Sequence, residues 1–89
     1  MKVSNILQQP TLKVITFLNE KGEARYAELA NYISSRGTLS LVLKELDQEA
    51  LIQRRVVISK PIQAYYSLTD KGKEIAAKLK EIKESLDKK

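Results

Sequence analysis

The sequence contains neither cysteine nor histidine. That absence excludes disulfide bonds, thiolate and imidazole metal sites, cysteine nucleophiles and histidine general bases. No apolar run approaches the roughly 20 residues that cross a bilayer, and no signal-like apolar stretch follows Lys2. The acidic residues stand mostly on helix faces that we expect to be solvated, without a paired-carboxylate or Ser-Lys arrangement. We therefore expect a cytoplasmic protein that is not an enzyme, binds no cofactor and no metal, and has no membrane partner.

The residues that are present fit one small folded domain. The chain has 89 residues, of which 43% are hydrophobic and 30% charged, and this composition is typical of a soluble globular domain. Lysine and arginine number 16 against 11 aspartate and glutamate, a formal net charge of +5, and most of the surplus falls within residues 36–73. A basic middle between nearly neutral ends indicates a localised surface for a polyanion. The alternative is a soluble protein whose surplus lysines have no binding role.

Apolar spacing predicts three helices in the first half of the chain. Pro10 begins the first helix, which ends at Lys21-Gly22. After a short extended segment at 23–26, residues 27–33 form a second helix and residues 35–49 a third. Two helices separated by so few polar residues must cross steeply, which is the helix-turn-helix arrangement. The third helix has one apolar stripe, formed by Leu39, Val42, Leu43, Leu46 and Ala50.

The second half of the chain reads as a β-hairpin and a final helix. Residues 51–58 and 62–68 are the extended runs, and Ser59-Lys60-Pro61 is a turn signal between them. Thr69 then caps the last helix. The expected fold class is therefore mainly α with a small β-hairpin (α+β), a winged helix-turn-helix. One domain of residues 1–89 would consist of a winged-helix core at about 10–72 and a C-terminal dimerisation helix at 73–89.

Several strings resemble the winged-helix transcriptional regulators of the HxlR, MarR and ArsR type, and most of all the HxlR branch. They are RYAEL at 25–29, LSLVLKELDQEALI at 39–52, Arg54-Arg55, Pro61, and YSLTDKG at 66–72. The resemblance covers about residues 12–72. It implies a dimeric DNA-binding regulator whose third helix enters the major groove and whose wing touches the DNA backbone.

The sequence also departs from that branch. HxlR proteins tend to carry a cysteine ahead of the first helix, so thiol-based sensing does not carry over to this chain. Ala50 stands where a glycine is usual at the end of the recognition helix, and we therefore expect a helical or bridge-region backbone there. The spacing between Ile33 and Leu39 also differs slightly, which leaves the subfamily open.

The outer side of the third helix holds the candidates for DNA contact, because the major groove admits a helix and shows a distinct pattern for each base pair. Ser34 and Ser35 cap the helix, and their amides suit a phosphate. Arg36 is placed to contact guanine or a phosphate. Leu41 either packs on a thymine methyl group or is partly buried against the wing. The candidates are Ser35, Arg36, Thr38, Ser40, Leu41 and Lys44.

The wing supplies a second set of candidates. Arg54 and Arg55 point to opposite faces of a strand, so we expect one to face DNA and the other to pair with an acidic residue such as Asp47 or Glu49. Lys60 in the turn would probe a phosphate or the minor groove, with a solvated wing tip as the alternative. The wing candidates are Arg54, Arg55, Lys60 and Gln63.

The last helix carries a dimerisation pattern. Its apolar residues alternate at spacings of four and three, which is typical of a two-stranded seam. About two heptads are too few for a stable isolated coiled coil, so residues near the N-terminus would add to the interface. The alternative is a helix that folds back on its own domain. The interface candidates are Ile6, Leu7, Ile75, Leu79, Ile82 and Leu86.

Taken together, these patterns predict a homodimeric, sequence-specific transcriptional regulator that binds double-stranded DNA. Its recognition helix at about 35–49 would lie in the major groove, and its wing at about 52–68 on the backbone or in the minor groove. Two alternatives are a winged-helix protein–protein interaction module and a sequence-tolerant architectural DNA-binding protein. A small-molecule effector is left open.

Overall fold

The computed structural model describes residues 8–33 and 35–87. Its elements are α1 (Gln9–Lys21), β1 (Glu23–Arg25), α2 (Tyr26–Tyr32), α3 (Arg36–Gln48), β2 (Ile52–Val57), β3 (Gln63–Leu68) and α4 (Asp70–Asp87). This order confirms the predicted mainly α fold with a small sheet. From α1 to β3 the element bounds differ from the predicted ones by only a residue or two, and α4 begins directly after the predicted cap, Thr69.

The three short strands form one antiparallel sheet in the order β1-β3-β2. β2 and β3 are the predicted hairpin, and the short extended segment after α1 adds a third strand on the far side of β3. Ile52 lies opposite Leu68, and Ala24 lies opposite Tyr66. Ala24, Ile52 and Leu68 are buried, so one face of the sheet covers the core.

The hydrophobic core lies between this sheet face and the helices. Fully burying a leucine, isoleucine or valine side chain stabilises the folded protein by roughly 1.5–3 kcal/mol. The buried stripe of α3 therefore fixes which side of that helix faces outward. The buried apolar residues are Val14, Ile15, Leu18, Ala24, Leu29, Ile33, Leu39, Val42, Leu43, Leu46, Leu51, Ile52, Leu68 and Ala76.

The turn from α3 into β2 corrects one expectation. Ala50 has φ +57°, in the left-handed region, and not the helical or bridge-region backbone expected from the absence of a glycine. The chain turns there so that Leu51 is buried, and the Leu51 amide donates to the Leu46 carbonyl at 2.9 Å. Thr69 Oγ1 donates to the Ala50 carbonyl at 2.6 Å. Tertiary contacts thus overrule a local backbone cost of about 1–2 kcal/mol.

Thr69 also begins α4, as predicted. Its Oγ1 accepts a hydrogen bond from the Gly72 amide at 3.1 Å, which is the contact of an N-cap residue. Gly72 packs so closely that a Cβ there would lie 2.0 Å from the Leu51 carbonyl oxygen. α4 is therefore anchored tightly to the α3–β2 turn at its first residues.

The two halves of α4 differ in burial. Ala76 is buried, and Ile75 and Leu79 are half-buried against the core. Ile82 and Leu86 are exposed. The first half thus folds back on its own domain, as the alternative interpretation of this helix had it, and the second half leaves its apolar residues uncovered. Within residues 8–33 and 35–87, α4 and the other helices all lack the length and apolar character that a membrane span requires.

Candidate nucleic-acid interface

The outward side of α3 carries the side chains predicted for the major groove. Because the buried stripe faces the core and an α-helix has 3.6 residues per turn, the residues between the stripe positions point away from the core. Thr38 is half-buried and the others are exposed. We call this surface the α3 ridge, and it consists of Ser35, Arg36, Thr38, Ser40, Leu41 and Lys44.

The ridge begins at a capped helix terminus. Ser35 Oγ accepts a hydrogen bond from the Thr38 amide at 3.2 Å, which confirms the capping role predicted for Ser35; Ser34 lies outside the described residues. Arg36 follows in the first turn and is exposed. The cap therefore holds the backbone of the ridge's first turn, from which the Arg36 side chain projects.

A contact that was not predicted from the sequence fixes the middle of the ridge. The hydroxyl oxygens of Tyr26 and Ser40 lie 3.2 Å apart. Tyr26 is the first residue of α2, so this hydrogen bond joins the two helices of the helix-turn-helix. The three-residue step from Tyr26 to Leu29 is a sequence signal that places Tyr26 on the inward side of α2, toward α3.

An open crevice of about 450 Å³ separates the ridge from the wing. Lys44 and Arg54 bring positive charge into it, and Asp47 brings the one carboxylate. The crevice is thus a polar cleft with a surplus of positive charge. Its lining residues are Tyr26, Ser40, Leu43, Lys44, Asp47, Arg54 and Tyr66.

The strand register separates the neighbouring arginines. Arg54 lies opposite Tyr66, and Arg55 lies opposite Tyr65. Because side chains alternate along a strand, Arg54 shares the sheet face of Ile52 and stands on the side of α3. Arg55 occupies the opposite face, which we call the outer sheet face. Arg54 is therefore the arginine of the wing that lies beside the ridge.

Arg55 is engaged within its own chain. Its Nη2 donates to Glu23 Oε1 at 2.8 Å, and its guanidinium carbon lies 4.7 Å from the centre of the Tyr65 ring. The hydrogen bond that Arg55 donates to the Glu23 carboxylate raises the pKa of Arg55 above its ordinary value. An acidic partner for one of the arginines was expected, but the expectation of Asp47 or Glu49 is wrong.

The strand order explains that difference. Glu23 belongs to β1 and Arg55 to β2, and β3 lies between them. Residues two strands apart become neighbours only once the sheet is assembled, so no local spacing in the sequence indicates this pair. A long arginine side chain spans the intervening strand.

Gln63 also lies on the outer sheet face. Its Oε1 accepts a hydrogen bond from the Tyr65 hydroxyl at 2.6 Å. Gln63 therefore belongs with Arg55 and Tyr65 and is separated by the sheet from the α3 ridge. Of the predicted wing residues, the structure brings only Arg54 into the crevice.

The wing tip is exposed and mostly apolar. Ile58, Lys60, Pro61 and Ile62 are all exposed at the turn between β2 and β3, and Ser59 Oγ donates to the Pro61 carbonyl at 2.7 Å. Lys60 lies where the turn signal placed it. The isoleucines on either side of it were not among the predicted site residues, although their position next to the turn signal made them available.

Four cations of α3 and the wing have no partners in the part of the chain that the structure describes. Arg36, Lys44, Arg54 and Lys60 form neither an ion pair within 4.0 Å nor a ring contact among those residues. No three acidic side chains in residues 8–33 and 35–87 come together as metal ligands either. Lys44 and Arg54, which line the same crevice, are therefore suited to an anion that contacts both.

The predicted dimer residues divide into three groups. Ile6 and Leu7 lie outside the described residues. Ile75 and Leu79 pack against the core of their own domain. Ile82 is 53% and Leu86 76% exposed, so these residues are the part of the predicted seam that is open to a partner.

Comparisons with known proteins identify a family. The family model described as HxlR-like helix-turn-helix matches residues 6–89. An uncharacterized HTH-type transcriptional regulator of Bacillus subtilis (strain 168), YvaP, is 37% identical over 83 residues, which are 91% of this chain and 77% of that protein.

Solved structures share the fold. The diamide-treated form of YodB from B. subtilis superposes with a TM-score of 0.79 at 28% identity and covers 94% of this chain and 84% of its own. A transcriptional regulator homologue from Pyrococcus horikoshii OT3 gives a TM-score of 0.79 at 24% identity, over 96% of this chain and 88% of its own. The second likeness concerns the fold alone.

Proposed function

Because the chain belongs to the HxlR-like helix-turn-helix family of transcriptional regulators, we propose that it acts as a homodimer that binds double-stranded DNA sequence-specifically. The α3 ridge enters the major groove, and the wing, β2 to β3, lies on the backbone or in the minor groove. Such a regulator works where the DNA is, so the cytoplasm stays the expected location.

The observation that carries the proposal is the pair of cations in the crevice that have no partner within residues 8–33 and 35–87. Lys44 and Arg54 approach the crevice from two different elements, α3 and β2. A DNA backbone that runs between ridge and wing would contact both, and each neutralised phosphate releases condensed counterions. An internal acid for each cation would have removed this source of affinity.

The ridge divides into positioning and reading residues in this proposal. Ser35 at the helix N-terminus and Lys44 bind phosphates, which set the register on the duplex. Arg36 reads a guanine edge, and Leu41 contacts a thymine methyl group. Thr38 and Ser40 add hydrogen bonds to phosphates or base edges.

A second copy of the chain would pack on the exposed half of α4. Ile82 and Leu86 are the apolar residues available there, and Ile75 and Leu79 continue the same seam toward the core. A two-fold dimer places two α3 ridges about 34 Å apart, which is one turn of DNA, and predicts a palindromic operator.

Selection of bound sequences from a random duplex pool tests the DNA-binding part. We expect one palindromic consensus from the wild type. Arg36→Ala should lower the ratio of consensus to random affinity, because a base contact is lost, whereas Lys60→Ala should weaken binding to all duplexes alike. The absence of duplex binding at low salt would contradict the proposal.

Sedimentation equilibrium tests the dimer. The double variant Ile82→Ser, Leu86→Ser should shift the protein toward monomer, because it removes the exposed apolar residues of the seam. Glu81→Ser with Glu84→Ser is the matched control on the same exposed segment and should leave the dimer intact. A wild type that is monomeric at micromolar concentration would sink this part of the proposal.

One observation favours a second candidate function. Leu41 is 57% exposed in the middle of the polar ridge, which suits a winged-helix protein–protein interaction module as well as a thymine contact. A stoichiometric protein partner that duplex DNA does not displace would support the module. Equal affinity for unrelated duplexes would instead indicate a sequence-tolerant architectural protein.

A further inference from the structure

The wing ends in an apolar tip that the proposed contacts do not explain. Ile58 is 89% exposed and Ile62 68% exposed. They stand on either side of Lys60 and Pro61, in the turn between β2 and β3. Exposure of large apolar side chains to water is unfavourable, and a partner that covers them removes this cost.

The charge of the wing indicates what kind of partner fits. Residues 52–68 contain Arg54, Arg55 and Lys60 and no acidic residue. Arg55 is held by Glu23 and Tyr65 on the outer sheet face. Near the tip this leaves Lys60, between two isoleucines, as a cation without an ion pair in the part of the chain that the structure describes. A matching surface is anionic at its rims and apolar at its floor.

We propose that this apolar tip, Ile58 and Ile62 around Lys60, enters the DNA minor groove and selects base pairs that lack the guanine 2-amino group. This inference rests on the proposed DNA-binding function. Phosphates line the rims of the minor groove, and A·T pairs present only acceptors on its floor. Apolar side chains are known to insert into this groove in other DNA-binding proteins.

The specificity arises because the isoleucine side chain has no hydrogen-bonding group. A G·C pair adds an N–H donor to the minor-groove floor. An isoleucine seated on that donor removes its water and offers no acceptor, so the donor is left unsatisfied. The tip therefore disfavours G·C pairs, whereas an arginine or lysine at the same place would bind through the phosphates and acceptors.

The dimensions of the wing agree with this placement. Arg54 lines the crevice beside α3, and Ser59 lies five positions further along the chain. At about 3.3 Å per residue this is a reach of roughly 17 Å. The distance is about half of the 34 Å helical repeat of DNA, so a ridge in the major groove leaves the tip beside the neighbouring minor groove.

A pair of duplexes that differ only in the minor groove tests the inference. Inosine is guanine without the 2-amino group, so alternating inosine–cytosine and guanine–cytosine duplexes of 30 base pairs present the same major-groove groups. We expect the wild type to bind the inosine–cytosine duplex about fivefold more tightly or better. Fluorescence anisotropy at low salt measures both affinities.

The variants assign the preference to the tip. Ile58→Ser with Ile62→Ser should bind the two duplexes within about twofold of each other, because the apolar contact is gone. Lys60→Gln is the matched control at the same turn; it should weaken binding to both duplexes and keep the preference. All these side chains are exposed, so the melting temperatures should stay close to that of the wild type.

The outcomes separate this inference from the proposed function. A wild type that binds neither duplex overturns DNA binding itself and the tip proposal with it. Equal affinity of the wild type for the two duplexes, or a preference that the double isoleucine variant keeps, overturns the tip proposal alone. A vesicle experiment provides one more outcome that overturns the tip proposal alone. In it, the wild type sediments with phosphatidylserine vesicles, and the double isoleucine variant no longer does so but keeps its duplex preference. The tip would then bind a membrane.

Discussion

Arg54 and Arg55 are adjacent in the chain and have opposite surroundings. Arg54 lies in the crevice beside Lys44 and without an ion pair in the described part of the chain. Arg55 is bound by Glu23 and stacked over Tyr65. The two residues contribute equally to the net charge. The comparison teaches that only the sheet face decides which of them is available to a phosphate.

The same contrast holds for the two sides of the molecule. On the α1–α2 side, Lys21 pairs with Glu28 and lies 5.6 Å from the centre of the Phe17 ring, while Lys13 lies 5.8 Å from the centre of the Tyr32 ring. On α3 and the wing, the cations Arg36, Lys44, Arg54 and Lys60 have no partner within residues 8–33 and 35–87. A net charge of +5 therefore does not spread a uniform attraction for polyanions over the surface.

The largest expected effect comes from removing the crevice cations together. Lys44→Gln with Arg54→Gln should weaken duplex binding by about 100-fold, at roughly tenfold for each lost charged contact. The slope of log K against log salt concentration should fall by about 2. Anisotropy titrations between 50 and 300 mM salt measure both quantities. An unchanged slope would show that neither cation contacts a phosphate.

A second prediction concerns the turn that sets the position of β2 against α3. Ala50→Gly should stabilise the protein by about 0.5–1 kcal/mol, because glycine removes the left-handed backbone cost of about 1–2 kcal/mol and gives back part of it through unfolded-chain entropy. Ala50→Val should destabilise it. Chemical denaturation measures the change, and duplex affinity should stay constant for Ala50→Gly, since Arg54 keeps its place. A less stable Ala50→Gly variant would contradict the argument.

The turn also depends on contacts that local sequence patterns do not contain. Periodicity predicted the elements and the outward side of α3, because the stripe from Leu39 to Leu46 is a local pattern of burial. The prediction for Ala50 is wrong because the burial of Leu51 and the hydrogen bond from Thr69, which is 19 residues away, decide its backbone conformation. The Arg55–Glu23 pair depends on the strand order across 32 residues. Local spacing carries no record of either contact.

The change from buried to exposed apolar residues along α4 has a related cause. A spacing of four and three is the same for a seam between two chains and for a stripe on one domain. Ile75 and Leu79 lie close enough to the core to pack on it, whereas Ile82 and Leu86 lie beyond its edge. The length of the domain, which the helix pattern does not contain, decides where the stripe becomes exposed.

A third prediction sharpens the contrast between the two arginines. Arg55→Gln should leave duplex affinity within about twofold of the wild type, because an exposed ion pair on the outer sheet face lies away from the crevice. The melting temperature should fall slightly, since Glu23 and Tyr65 lose their partner. Arg54→Gln is the matched comparison and should show the reverse: weaker binding and an unchanged melting temperature. If both variants lost affinity equally, the division of the wing into two faces would have no functional meaning.

The smallest expected effect lies on the partnered side, at Glu28. The hydrogen bond from the Lys21 ammonium group, and after it that from the Arg25 amide, lower the pKa of Glu28 below 4.5. A lowered folded-state pKa means that ionised Glu28 stabilises the protein above about pH 4.5 and that this contribution is lost as the pH falls through the lowered value. Glu28→Gln should therefore melt slightly below the wild type at pH 7, and the difference should shrink in the acid range below pH 4.5. Glu20→Gln is the control, because it removes an exposed carboxylate on α1 that has no ion pair in the described residues, and it should melt like the wild type at pH 7. Because Lys21 does not line the crevice, Glu28→Gln should not change duplex affinity at pH 7. A gain in affinity would mean that a cation freed at this position can also reach DNA.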